Sequence, residues 1–157
     1  MELEVRRHER VIAPVRLVWE EIDSLEQILA KSPHISNCAI SPEGQKARGT
    51  SRLAWGPVKW TLEVDVTIID LQPCRCLSFT IDVPALGFRS HASVDLMAIG
   101  EAETMLDYRG HLAFRRRLAS RMRGLLNEVA EEQANCLTHR VKVKSEQRRL
   151  AQERLLT

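Results

Sequence analysis

Among the residues equipped for chemistry, the chain carries five histidines, one tyrosine and four cysteines. Alternation along its strands puts His8, His91 and His111 on wet faces, and His139 stands apart from them. His34 is different. It follows a short helix at the expected mouth of a pocket, where an imidazole titrating near neutrality could donate a proton in a lyase or cyclase. Tyr108 and Arg7 occupy otherwise apolar strand faces, as candidates for an acid or an electrostatic aid. Cys74-x-Cys76 has a metal-like spacing, but both thiols are expected to point outward, opposite Leu77, Phe79 and Ile81. Cys38 and Cys136 are isolated, and structural zinc needs four soft ligands at close, fixed spacings. The expectation is free cysteines, with no metal and no cofactor. No Ser-His-Asp spacing, glycine-rich phosphate loop or paired-carboxylate motif occurs, so hydrolase and kinase chemistry lack support.

These residues must be positioned by elements, and the elements are legible. Val58, Trp60, Leu62, Val64, Val66 and Ile68 alternate with Lys59, Thr61, Glu63, Asp65 and Thr67. A period of two marks a strand buried on one side. Leu3, Val5 and Val11 give a first strand over 2–12. Pro14 suits a helix start, and Leu17, Val18, Trp19 and Ile22 make a short helix over 14–22. Ser24-Leu-Glu-Gln reads as a capping box, in which Ser24 meets the Gln27 amide and Gln27 reaches back. It opens a second helix over 25–31 that Pro33 ends. Strands follow at about 36–43, 49–56, 58–70, 74–83, 88–99 and 103–113, joined by short links that imply an antiparallel sheet.

From Phe114 the period becomes helical. Leu118, Met122, Leu125, Leu126, Val129, Gln133, Cys136, Leu137 and Val141 form one stripe, wide enough to lie across a sheet. The expected organisation is a single domain over 1–143 and a helical extension over 144–157.

Some polar residues share the inward faces: Arg7 and Glu9, Ser51, Ser90, Tyr108, and Gln133 in the helix stripe. An inward guanidinium without a partner is costly, so Arg7 must meet a carboxylate, a ligand or water. Two readings stay open. Arg7 and Glu9 pair with neighbours at a sheet edge, or Arg7, Tyr108 and Gln133 orient the polar end of an apolar ligand. The loop Val83–Gly87 is apolar for a hairpin and reads as a lid, a membrane contact or packing against the first helices.

At 157 residues with 44% apolar and 28% charged composition, the chain reads as an ordinary globular protein. No apolar run approaches the roughly 20 residues of a membrane span. The start, MELEVRRHERVIAP, has charges where a signal peptide has an apolar centre, so a cytoplasmic location is expected, with an option of peripheral membrane contact. Residues 1–114 hold 12 Lys/Arg against 16 Asp/Glu, whereas residues 115–157 hold 11 against 5. The basic end, led by Arg115, Arg116 and Arg117, is either a solvated face or a contact for an anionic membrane. It lacks interleaved aromatics, which argues against nucleic acid.

The element order, one strand, two helices, six strands and a long helix, resembles the helix-grip fold of the START and pollen-allergen superfamily, also called SRPBCC. Ile12-Ala13-Pro14 with Val18-Trp19, Glu26 and Ile28, Gly49, and Ile69-Asp70-Leu71-Gln72-Pro73 before Arg75-Cys76-Leu77 are similar to its polyketide cyclase/dehydrase-like branch, near a group of small proteins associated with carbon monoxide dehydrogenase. The chain departs from that pattern at Ser24, Leu25, Lys31 and His34. The resemblance implies an α+β fold in which a seven-stranded antiparallel sheet wraps a long carboxy-terminal helix, with an apolar cavity between them.

The expected function is therefore a carrier holding a hydrophobic or aromatic molecule, such as a lipid, a quinone or a polyketide-like compound. Its expected contacts are Arg7, Trp55, Trp60, Leu62, Phe79, Ile81, Phe88, Ser90, Tyr108, Met122, Leu126, Val129 and Gln133. One alternative is a cyclase, aromatase or dehydratase in the same cavity, with His34, Tyr108 or Arg7 as the acting group. The other is an accessory protein that docks on a membrane or a complex, and a homodimer is left open.

Overall fold

The computed structural model describes residues 2–55, 57–114 and 120–156, apart from the side chains of Glu2, Trp55, Ser120 and Arg121. The described elements are β1 (Glu2–Val11), α1 (Val15–Glu20), α2 (Leu25–Ala30), β2 (Ser36–Ile40), β3 (Lys46–Trp55), β4 (Val58–Gln72), β5 (Cys76–Val83), β6 (Phe88–Gly100), β7 (Glu103–Phe114) and α3 (Ser120–Leu156). The strands form one antiparallel sheet in the order β1-β7-β6-β5-β4-β3-β2, so the first strand closes beside the last. The fold is the α+β helix grip expected from the element order. The expectations at Arg115, Arg116 and Arg117 lie outside the described residues.

Local chemistry sets the boundaries. Pro14 is the N-cap of α1, and its carbonyl accepts from the Leu17 and Val18 amides. Ser24 caps α2 by accepting from the Gln27 amide at 3.2 Å. The Gln27 side chain does not complete the capping box; its Oε1 accepts from Lys31 Nζ at 3.0 Å instead. β5 begins two residues later than the pattern suggests, because Cys74 adopts φ +60° in the turn after β4. Cys74 is half-buried against the core rather than turned outward, while the Cys76 thiol faces Asp70.

The two sheet edges are finished differently. β2 is short, and its pairing with β3 shifts register between Ser36 and Ala39, with Asn37 at φ +54°. Gly49 of β3 lies opposite that bulge. A Cβ there would sit 2.9 Å from the Ser36 carbonyl oxygen and 2.9 Å from Cys38 Sγ, so the close approach requires glycine. At the other edge, side chains of α3 reach the end of β1. Lys142 Nζ donates to the Arg10 carbonyl at 2.7 Å, and Glu146 Oε2 accepts from the Ile12 amide at 2.9 Å.

The inward faces and α3 enclose the core. At one end α1 packs between α3 and strands β6 and β7, and the space is filled by side chains such as Leu17, Ile22, Ile28 and Leu137. α3 runs unbroken from Ser120 to Leu156, and beyond Val143 it still packs: Ser145 is fully buried, and Arg148 pairs with Glu20 and with Glu21 at 3.3 Å. The Val83–Gly87 loop is a 3₁₀ turn over Pro84–Leu86 that touches β4, with Leu86 against the core.

Candidate functional site

At the other end the sheet and α3 part, leaving a cavity of about 70 Å³. One water needs roughly 10–15 Å³, so the hollow has room for several waters or for a compact guest. Its floor is the inward face of six strands: Val5, Leu53, Leu62, Val64, Ile81, Val83, Phe88 and Leu112 supply the apolar part. Leu126, Val129, Ala130 and Gln133 of α3 form the roof, at helical spacings of three and four. His34 and Ile35, between α2 and β2, close one side.

The polar groups of the hollow are few and uncharged. Ser51, Ser90, Tyr108 and Gln133 line it and are all at least nine-tenths buried. The Tyr108 ring folds back along β7 over Gly110, where an added Cβ would approach Cε1 to 3.3 Å. No described residue hydrogen-bonds the Tyr108 hydroxyl. Burial pushes its pKa up to about 12, against a smaller opposing pull from Arg7, so it stays a neutral phenol. Gln133 Nε2 donates to Ser32 Oγ at 2.6 Å, and Ser32 donates in turn to the Ile28 carbonyl at 2.8 Å. His34 sits at the rim with Nε2 3.0 Å from Glu132 Oε2, without the alignment of a hydrogen bond.

Of the residues singled out in the sequence, the structure brings Leu62, Ile81, Phe88, Ser90, Tyr108, Leu126, Val129, Gln133 and His34 to this cavity. Others lie elsewhere. Arg7 is opposite Tyr108 in the strand register but is not in the lining; its Nε donates to Asn135 Oδ1 of α3 at 2.5 Å and its Nη1 to the Arg6 carbonyl. Phe79 and Met122 are packed into solid core. Trp60 is half-buried beside a shallow surface depression near Arg52 and Lys59. The Trp55 side chain lies outside the described residues. Sequence reading misses Val5, Ile35, Ser51, Leu53, Val64, Val83, Gly110, Leu112 and Ala130 as lining. Most of them carry a signal, because they share the inward alternation of their strands.

A second polar cluster joins α1, α2 and α3. Lys31 is fully buried, with Nζ 3.1 Å from Glu21 Oε2, and burial lowers its pKa against the pull of Glu21. Arg148 binds Glu20, which holds that carboxyl below its ordinary range. Among the described residues no group of three His, Cys, Asp or Glu is placed to hold a metal. No described helix is long and apolar enough to cross a membrane.

At the level of sequence, no protein-family model and no curated protein matches the chain. Solved structures do match its fold. The Zhui aromatase/cyclase of Streptomyces sp. R1128 superposes with a TM-score of 0.71 at 19% identity, covering 94% of this chain and 96% of that one. A START superfamily protein from Mycobacterium smegmatis gives 0.65 at 13% identity, over 92% and 97%. The chain shares the helix-grip fold of these structures. A conserved protein from Geobacillus kaustophilus shares this START-like architecture, with a TM-score of 0.72 at 14% identity over 92% and 96% of the two chains.

Proposed function

We propose that this START-like chain binds a small, mostly apolar molecule in the hollow between the sheet and α3. The supporting observation is the hollow itself: an apolar floor and roof around a few neutral polar groups, the usual make-up of a small-molecule site. Size limits the guest. The volume of about 70 Å³ is less than half the roughly 150 Å³ of a cavity that takes benzene. One ring enters with small side-chain shifts, and a longer or multi-ring guest would keep part of itself outside the enclosed space or displace lining side chains. Burying about 150–250 Å² of a one-ring guest, at about 25 cal/mol per Å², sets a ceiling of roughly 4–6 kcal/mol. That corresponds to dissociation constants from about 1 mM down to tens of micromolar.

Native mass spectrometry of freshly purified protein, followed by titration with one-ring aromatics, tests the reading. Ala130→Leu places a larger side chain in the hollow; it should abolish binding of such probes while leaving Tm unchanged or slightly higher. Unchanged probe affinity in Ala130→Leu would place the binding elsewhere. A cyclase-type reading is favoured by His34 at the rim beside Glu132 and by the aromatase/cyclase among the similar folds. In that case His34→Ala keeps ligand affinity and loses turnover.

A further inference from the structure

The hydrogen bonds around Gln133 fix which way its carboxamide faces, and with it the chemistry the hollow asks of a guest. Ser32 Oγ spends its one proton on the Ile28 carbonyl at 2.8 Å. Toward Gln133 it offers only lone pairs, so the group 2.6 Å away must be the amide nitrogen. The Gln133 carbonyl oxygen is then the other arm, and no described residue donates to it. Gln133 is 6% exposed and lines the hollow. In so dry a site, an acceptor that keeps accessible surface and has no protein donor favours a guest that brings one. The hydroxyls of Ser51, Ser90 and Tyr108 can donate or accept, so they adapt to either kind of guest. The Gln133 carbonyl oxygen only accepts.

Charge selection follows from the same lining. Among the described residues, no Lys, Arg, Asp or Glu borders the hollow. Arg7, opposite Tyr108 in the strand register, is held by Asn135 and by the Arg6 carbonyl. His34 at the rim already faces the Glu132 carboxylate. An anion entering here would lose water and, among the described residues, gain no ion-pair partner in the lining, only the weaker pull that Arg7 exerts on Tyr108. We infer that the hollow is selective for a neutral, compact apolar molecule bearing an O–H or N–H donor, with Gln133 as the specificity-determining acceptor and carboxylates excluded. This rests on the binding function proposed above and names its ligand class.

Three one-ring probes test it by calorimetric or NMR titration: phenol, fluorobenzene and benzoate. Fluorobenzene matches phenol in size and is more apolar, but it has no donor. In the wild-type protein phenol should bind more tightly than fluorobenzene, and benzoate should not bind. In Gln133→Met, which keeps the length of the side chain, the phenol-to-fluorobenzene affinity ratio should fall about tenfold, the equivalent of one hydrogen bond. Fluorobenzene binding in that variant reports that the hollow is intact. If wild-type protein prefers fluorobenzene or takes benzoate comparably, or if the ratio survives in Gln133→Met, the selectivity is overturned while the cavity reading stands. The wild-type series decides the matter even where the variant fails to fold. If none of the three probes binds, the proposed binding function falls, and the selectivity with it.

Discussion

Single residues carry two consequences that can be measured directly. Tyr108 is the one tyrosine of the chain, so tyrosinate absorbance reports on it alone. Its pKa, raised by burial to about 12, exceeds the unfolded value of about 10. The neutral form is therefore favoured by folding. That stability is fully present below about pH 10 and is lost as pH rises through about 12. A spectrophotometric titration should show ionisation near 12; a midpoint near 10 with the fold intact would mean that water reaches the hydroxyl freely. The Lys31–Glu21 pair makes the second case. Glu21→Leu leaves a buried ammonium without an anion and should cost about 3–5 kcal/mol. Lys31→Met should cost less than about 2 kcal/mol, because Arg148 still reaches Glu21 at 3.3 Å and the new side chain is apolar. Chemical denaturation of the two variants checks that order.

Elements differ in how plainly the sequence shows them, for physical reasons. Strands β4, β6 and β7 are plain because one buried face imposes a period of two on many consecutive residues. The true start of β3 at Lys46 is hidden, since Lys46 and Arg48 are exposed and the inward positions beside them hold only the small residues Ala47 and Gly49. The tail of α3 looks stripeless because ionic and hydrogen-bonded contacts tie it to α1 and β1, and a hydrophobic stripe does not record those. Ending the chain after Val143 removes Glu146 from the Ile12 amide and Arg148 from Glu20. The first is a charge-assisted bond of about 1.5–3 kcal/mol, and the half-exposed Arg148 pairs add less. At about 2–4 °C per kcal/mol for a chain of this size, Tm should fall by about 5–10 °C. Ending it after Ala151 removes residues whose described members, 152–156, are all exposed, with only the surface Arg149–Glu153 pair lost among the ion pairs described, and should leave Tm nearly unchanged, by scanning calorimetry.

For the molecule as a whole, the class of fold and the existence of a sheet–helix interface are legible in the residues, whereas volume is not. Alternation says which face a side chain takes, but not where along that face the helix lifts away. Arg7 shows the difference: it takes the face that alternation assigns, yet it ends beneath Asn135 rather than in the hollow. Trp60, Phe79 and Met122 likewise share the right faces but lie outside the hollow. The same architecture bears on how copies of the chain behave when crowded together. An open sheet offers rows of free amides and carbonyls that recruit further strands. Here the β2 margin is kinked by Asn37 opposite Gly49, and the end of the β1 margin is occupied by Lys142 and Glu146. A stacking neighbour meets a broken rail on one flank and two filled sockets at the end of the other, so neither flank is an uninterrupted template.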